Sequence, residues 1–264
     1  MALSTFDGFV GAASDSINIT KTAPRTTVAA SWFTTIDLAG NPGAGVLAGT
    51  STAAGVVPTD ATAGCPPISA FGGGATGYLS QIDFGSSVAC RLRLWDMLFK
   101  AGAYAFNAVQ TLAAQPSYAS RMPGGSYKGT QIYFEGVTNF TGNPTVTVTY
   151  TNQDGTTGRT TGAIAFGLAP TAGRLIQMPL QAGDSGVQKI ETVTCTVATV
   201  GTFNVLVMRP LWSNRVKVAN DGGLDDLGKT GRPVLFTDSA LVLGVAADSS
   251  SSGIPEVDFV ISNG

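Results

Sequence analysis

The chain has 264 residues, a formal net charge of -2 and only 12% charged residues, where an ordinary globular domain carries about a quarter. That balance excludes the basic face of a nucleic-acid binder. With no histidine and three widely spaced cysteines, Cys65, Cys90 and Cys195, the usual zinc constellations are excluded too. Cys90 and Cys195 sit in alternating apolar patterns and read as buried free thiols. The opening MALSTFDGFVGAASDS lacks a basic start and a sustained apolar core, so it does not read as a signal peptide. No apolar run approaches the ~20 residues of a membrane span. The expectation is a soluble protein made in the cytoplasm, with no membrane partner. A weakly charged, Thr- and Gly-rich surface suits a protein held in an assembly better than a freely diffusing enzyme.

In chain order, residues 1–60 carry little periodicity: Phe6, Phe9, Val10, Ile17 and Ile19 are interrupted by Gly, Ser and Asp. Residues 28–38 are the first plausible strand, ending in the turn Ala39-Gly40-Asn41-Pro42-Gly43. Residues 43–67 are small, Gly- and Ala-rich, without a clear element. Two readings are open here: an extended arm or wrapping segment, or short strands joined by irregular loops. The division taken is residues 1–75 as an N-terminal arm with a short strand, and 76–264 as a β-sandwich domain.

Residues 78–84 and 86–95 read as strands. In the second, Val88, Cys90, Leu92 and Leu94 share a face while Arg91 and Arg93 point away. The two arginines fit either a phosphate or carboxylate site or the solvated face of an edge strand. Residues 96–105 suit a short helical turn limited by Gly102, and 107–131 a polar linker turning at Pro123-Gly124-Gly125. Residues 131–137 are a strand.

The clearest local statement is 144–161. Val146, Val148 and Tyr150 fall on one side of a two-residue period, and Thr145, Thr147, Thr149 and Thr151 on the other. Asn152-Gln153-Asp154-Gly155 supplies turn chemistry, residues 156–161 return as a partner strand, and Gly158 suits a bulge. Residues 163–168 and 175–180 are short apolar segments, and 187–197 leads to the strand 202–209. There Phe203, Val205 and Val207 alternate with Asn204, Leu206 and Met208, so both faces are largely apolar and the strand is central. Residues 213–233 look irregular, and 234–247 and 255–262 close the chain as strands. Many short strands and no helix long enough for a βαβ unit predict an all-β fold, a β-sandwich or jelly-roll.

Motifs that suggest chemistry are weak. Gly183-Asp184-Ser185-Gly186 spells the run around a trypsin-like nucleophile, but that serine needs a base, usually histidine, and the chain has none. Asp and Ser between glycines read as a capped turn. Asp221-Gly222-Gly223-Leu224-Asp225-Asp226 concentrates carboxylates without the ligand alternation of an EF-hand loop. No phosphate-binding glycine loop is present. The expectation is a non-enzyme with no catalytic residues, no metal and no cofactor.

Leu92-Arg93-Leu94-Trp95-Asp96-Met97-Leu98-Phe99, the hairpin TYTNQDGTTGRT at 149–160, LQAGDSGVQKIE at 180–191 and Asp238-Ser239-Ala240-Leu241 occur in an order and spacing that resembles a poorly characterised group of structural proteins of tailed bacteriophages. The resemblance covers roughly residues 75–264. This chain departs from the usual phrase in having Trp95 for Tyr and Phe99 near the position of a Trp, and both swaps keep an aromatic. The resemblance implies a virion component, a capsid decoration or cement protein on the capsid exterior. Its partners would be the major capsid protein and copies of itself, with no nucleic acid and no membrane. Phe6, Phe9, Trp32 and Phe33 are the aromatic interface candidates, with ordinary core positions as the other reading, above all for Trp32 and Phe33. The alternative role is a tail, fibre or vertex protein binding a host surface saccharide, for which Trp95, Trp212 and Tyr127 would supply aromatic faces.

Overall fold

Two long strands, Cys90–Ala105 and Thr202–Val216, run antiparallel along nearly their whole length and organise the chain. Apart from their ends at Arg91, Arg93, Ser213 and Arg215, both are largely apolar on both faces, so both faces must be covered. Register breaks at Phe203/Val205, Val207/Met208 and Pro210/Trp212 let the pair coil rather than lie flat. The computed structural model describes residues 3, 5–69, 71, 76–105, 109–165, 172–195 and 200–264.

From this pair the hydrogen bonding closes on itself. Thr202–Val216 pairs with Gln131–Gly136, which pairs with Arg174–Met178, then Trp32–Thr34, then Leu241–Ala247, which returns to Cys90–Ala105. The result is a closed antiparallel ring of six strands, with Ser51–Val56 added beside Lys100 and Gly102. Closure removes sheet edges. The ring interior holds Trp95, Met97, Tyr133, Leu175, Leu206, Met208 and Val242, with Ile36 and Cys65 brought in by the Gly-rich segment that follows the first ring strand.

Two further sheets cover the outside of the ring. A six-stranded sheet, ordered Asp221–Asp225, Gly77–Ser86, Pro255–Asn263, Ala13–Lys21 and Gly40–Asn41 with Val234–Leu235 on its second strand, packs Leu79, Ile82, Val257 and Phe259 onto Leu92, Leu94 and Val245. A five-stranded sheet built on Thr145–Asn152 and Val187–Cys195 packs Val146, Val148, Tyr150 and Ile190 onto Leu98, Phe134 and Val205. The fold is therefore all-β with face-to-face sheet packing, as the alternation predicts.

Between Leu94 and Leu98, which serve different cores, Asp96 is wholly buried. Its carboxylate pairs with Arg121, and accepts hydrogen bonds from Arg209 Nη2 at 3.0 Å and Ser239 Oγ at 3.1 Å. Arg121 also donates to the Met97 carbonyl. An acid at this depth is tolerable only when every oxygen is met by a donor.

Several expectations are corrected by this arrangement. Strand pairing does not follow a division at residue 75. Ala13–Lys21 is flanked by Pro255–Asn263 and buries Ile17 and Ile19, while Trp32–Thr34 is a ring strand. Within residues 43–67 the chain forms the strand Ser51–Val56 between irregular segments. Residues 96–105 are not helical, because continuing the strand buries Met97, Leu98, Phe99 and Tyr104 and keeps pairing with Thr202–Val216. The "polar linker" 107–131 supplies the buried Arg121. The strand expected over 28–38 shrinks to Trp32–Thr34, and 213–233 contains the strand Asp221–Asp225 and the short helix Leu227–Thr230. The parts of 163–168 and 187–197 beyond residues 165 and 195 lie outside the described residues.

The hairpin forms as read. Val146, Val148 and Tyr150 are fully buried, and Arg159–Thr160 returns against Tyr150 and Thr149. Gly155 and Gly158 take φ of 83° and 68°, the left-handed backbone that favours glycine. The longer partner of this strand is Val187–Cys195 on its other side.

Candidate functional site

The first candidate surface is at the N-terminus. Thr5 caps the helix Phe6–Gly11 by accepting from the Gly8 amide, and Asp7 sits in the first turn. Six residues cannot hold a helix in water unaided. Phe9 anchors it: the ring is 3% exposed, lies edge-on to Tyr78 at 5.5 Å, and carries the Arg232 guanidinium 5.2 Å from its centroid. The Phe9 carbonyl also accepts from Ser262 Oγ at 2.7 Å. Phe6 and Val10 are left outward, 66% and 58% exposed, over a groove of about 230 Å³ that Leu227 and Val260 help to line.

The four aromatic interface candidates thus separate. Phe6 is presented to solvent and Phe9 holds the helix that presents it. Phe33 is wholly buried in the core beneath the six-stranded sheet and is corrected to a core residue. Trp32, its neighbour, points to the other face of the same short strand, as strand geometry requires, and is half-buried at the open end of the ring.

That open end is the second candidate. Arg93 lies with its guanidinium carbon 4.8 Å from the Trp32 ring centroid and 5.6 Å from that of Trp95, and Arg91 is 5.7 Å from Trp32. Trp32 meets Trp95 edge-on at 5.6 Å, and Trp95 meets Tyr133 at 5.5 Å. Tyr133 Oη donates to Gln131 Oε1 at 2.7 Å, stands 3.5 Å from Gln177 Oε1, and accepts a long bond from Arg93 Nη1. Burial pushes the Tyr133 phenol above its usual range, against the opposing pull of the Trp95 indole and the Arg93 guanidinium.

The edge-strand reading of Arg91 and Arg93 is corrected here. Their strand is paired on both sides, with Ala246 and Gly244 on one and Arg215 and Ser213 on the other. The sequence gives no sign of Tyr133, Gln131 and Gln177 as their neighbours, because only closure of the ring brings them together. The saccharide-binding aromatics fare differently. Trp95 is wholly buried, and Trp212 is 6% exposed with its indole N–H bound to Asp225 at 2.7 Å. Tyr127 packs edge-on against Tyr118.

The remaining motifs are structural. Asp184 of the GDSG run accepts from Tyr150 Oη, Asn152 Nδ2 and Arg159 Nε at 2.7, 2.8 and 2.9 Å. Ser185 is exposed, and its backbone amide donates to Gln153 Oε1. Asp225 is held by Trp212 and Asn214, and Asp226 caps the helix Leu227–Thr230. Among the described residues, no group of three or more His, Cys, Asp or Glu side chains is placed to hold a metal ion. No described helix is long and apolar enough to cross a membrane.

No family model matches the sequence, and neither does any curated protein. Among solved structures, the chain is 11% identical to one from the Gt strain of infectious bursal disease virus, covering 95% of this chain and 80% of that one, with a TM-score of 0.17. It is 10% identical to the chain of the infectious bursal disease virus VP2 subviral particle, covering 96% and 81%, with a TM-score of 0.16. At such scores the likeness carries no argument about fold or function.

Proposed function

We propose that this chain is a structural virion protein of a tailed bacteriophage, a capsid decoration or cement protein on the capsid exterior, and not an enzyme. The observation that supports this reading is the outward pair Phe6 and Val10, held on a helix that Phe9 pins to an interlocked all-β body. The resemblance of residues 75–264 to phage structural proteins points the same way. Burying each of the two side chains against a neighbour contributes roughly 1.5–3 kcal/mol. One such contact is weak, and repetition over a symmetric shell gives the avidity that holds it. Its partners on this reading are the major capsid protein and copies of itself, with no nucleic acid and no membrane.

The test is to purify the particle carrying this chain and count its copies against the major capsid protein. A simple ratio to the shell protein supports decoration. A handful of copies per particle would move it to the tail, a fibre or a vertex, where binding of a host saccharide becomes the better reading. Absence from particles would overturn the virion role.

A further inference from the structure

We propose that the open end of the six-stranded ring is a binding site for a small carboxylate ligand carrying hydroxyl groups, of the acidic-sugar class. The inference rests on the ring mouth alone and holds for a shell or a tail protein alike. β-Barrel mouths are places where a few converging polar groups meet a packed apolar floor. Here the floor is Trp95, Tyr133 and Met208, and the rim is Trp32, Arg91, Arg93, Gln131, Gln177 and Ser213.

What sets the ligand's charge is an excess of donors. Among the described residues, neither Arg91 nor Arg93 pairs with a carboxylate. Apart from the indole rings, the hydrogen bonds these guanidiniums make among the described residues are to the Ala30 carbonyl, from Arg91 at 3.2 Å, and to the Tyr133 hydroxyl, from Arg93. The nearby Arg215, opposite Arg91 on the next strand, is already neutralised by Asp248 at 3.0 Å. Arg91 and Arg93 are two residues apart on one strand, about 6.6 Å along the backbone, yet both lean on the same Trp32 ring. Two like charges so placed repel, and a shared anion removes the conflict.

The second observation is independent of the arginines. The Trp95 indole N–H belongs to a wholly buried side chain and, among the described residues, makes no well-formed hydrogen bond, facing only the Tyr133 hydroxyl, an arrangement that costs free energy unless something completes it. It lies beside the Tyr133 hydroxyl, at the floor of the mouth. Gln131 and Gln177 both direct their amide oxygens at that hydroxyl, which leaves their NH₂ donors unused by it. A fork of guanidinium donors matches a carboxylate, and uncharged amides and the Ser213 hydroxyl match ligand hydroxyls.

The three indoles make the test internal. In a ¹⁵N-labelled protein each gives one N–H resonance, assigned by Trp→Phe variants. Trp212, bonded to Asp225 away from the mouth, is the reference. Titration with glucuronate is expected to shift Trp32 and Trp95 and leave Trp212 in place, with glucose and acetate each binding more weakly. Arg91→Gln, at the more open end, should weaken glucuronate about tenfold or more, and Arg93→Gln should do the same, with the Trp212 resonance unmoved as evidence of an intact fold. No shift of Trp32 or Trp95 at saturating glucuronate would overturn the proposal. So would equal shifts from sulfate, phosphate and glucuronate, which would mean charge trapping without a ligand, or full affinity in Arg91→Gln.

Discussion

Tyr150 Oη donates a 2.7 Å hydrogen bond to Asp184 Oδ2, which ties the core face of the Thr-rich hairpin to the turn between two strands. Arg159 binds the same oxygen from the returning strand at 2.9 Å, and Asn152 binds the other. The motif that looks catalytic in the sequence is therefore a corner lock. The Arg159 hydrogen bond, with Asn152 and Tyr150 adding to it against the cost of burial, holds the Asp184 carboxyl down at about 2. A folded-state value below the unfolded one, about 3.9, stabilises the fold at pH above the unfolded value. That contribution is lost as pH falls from about 4 through about 2. Asp184→Asn should lower the urea midpoint at neutral pH and flatten its fall between about pH 5 and about pH 2. An unchanged acid limb in the variant would show that Asp184 does not carry it.

Asp96 and Arg121 are both fully buried and meet from segments that sequence alone does not connect. Removing one partner strands the other charge, so Arg121→Met should cost about 3–5 kcal/mol by chemical denaturation. Asp96→Asn should cost as well, since Arg209 and Arg121 then face a neutral group. The double variant should recover part of the loss. Strict additivity in that cycle would show that the two do not act as a unit.

Phe6→Asp and Val10→Asp change exposed positions and should leave the melting temperature nearly unchanged while abolishing attachment to particles stripped of this protein. Phe33→Ala should do the reverse. It empties a core position, costing about 3–5 kcal/mol, and any loss of attachment should track the loss of fold. Full co-sedimentation of the Phe6→Asp, Val10→Asp double variant would remove the N-terminal patch from the interface.

Gly244 faces the ring interior opposite Arg93, and a Cβ there would lie 2.2 Å from Trp95 Cζ3. Both the indole and the strand are fixed by packing, so Gly244→Ala should destabilise by about 1–3 kcal/mol. The overpacked indole should also move, seen as a change in tryptophan emission of the folded protein. A neutral substitution with unchanged emission would mean that the ring interior has slack.

Much of this was legible locally. The period-two alternation of Val146, Val148 and Tyr150, and of Cys90, Leu92 and Leu94, sets which side chains are buried because a strand has two faces and water covers only one. The apolar run Phe203–Met208 announces a strand covered on both sides for the same reason. Asp154-Gly155 places the turn because glycine reaches positive φ without strain.

What stayed hidden depends on partners remote in the chain. Ala13–Lys21 alternates over only two apolar residues, Ile17 and Ile19, set between Asp15 and Lys21, too few to stand out, and its partner, Pro255–Asn263, lies at the opposite end of the sequence. Arg91 and Arg93 read first as an edge-strand device, with an anion site as the other reading, until the ring is seen to close around them. Side-chain period and backbone stereochemistry act within a few residues, and from them the all-β class, the buried faces of the regularly alternating strands and the turns could be read. The closed ring, the Asp96 hub, the outward setting of Phe6 and the donor-rich mouth arise only when distant strands pair. Strand pairing is made by backbone groups common to every residue, so the choice of neighbour is settled only when the whole set of apolar faces is buried at once.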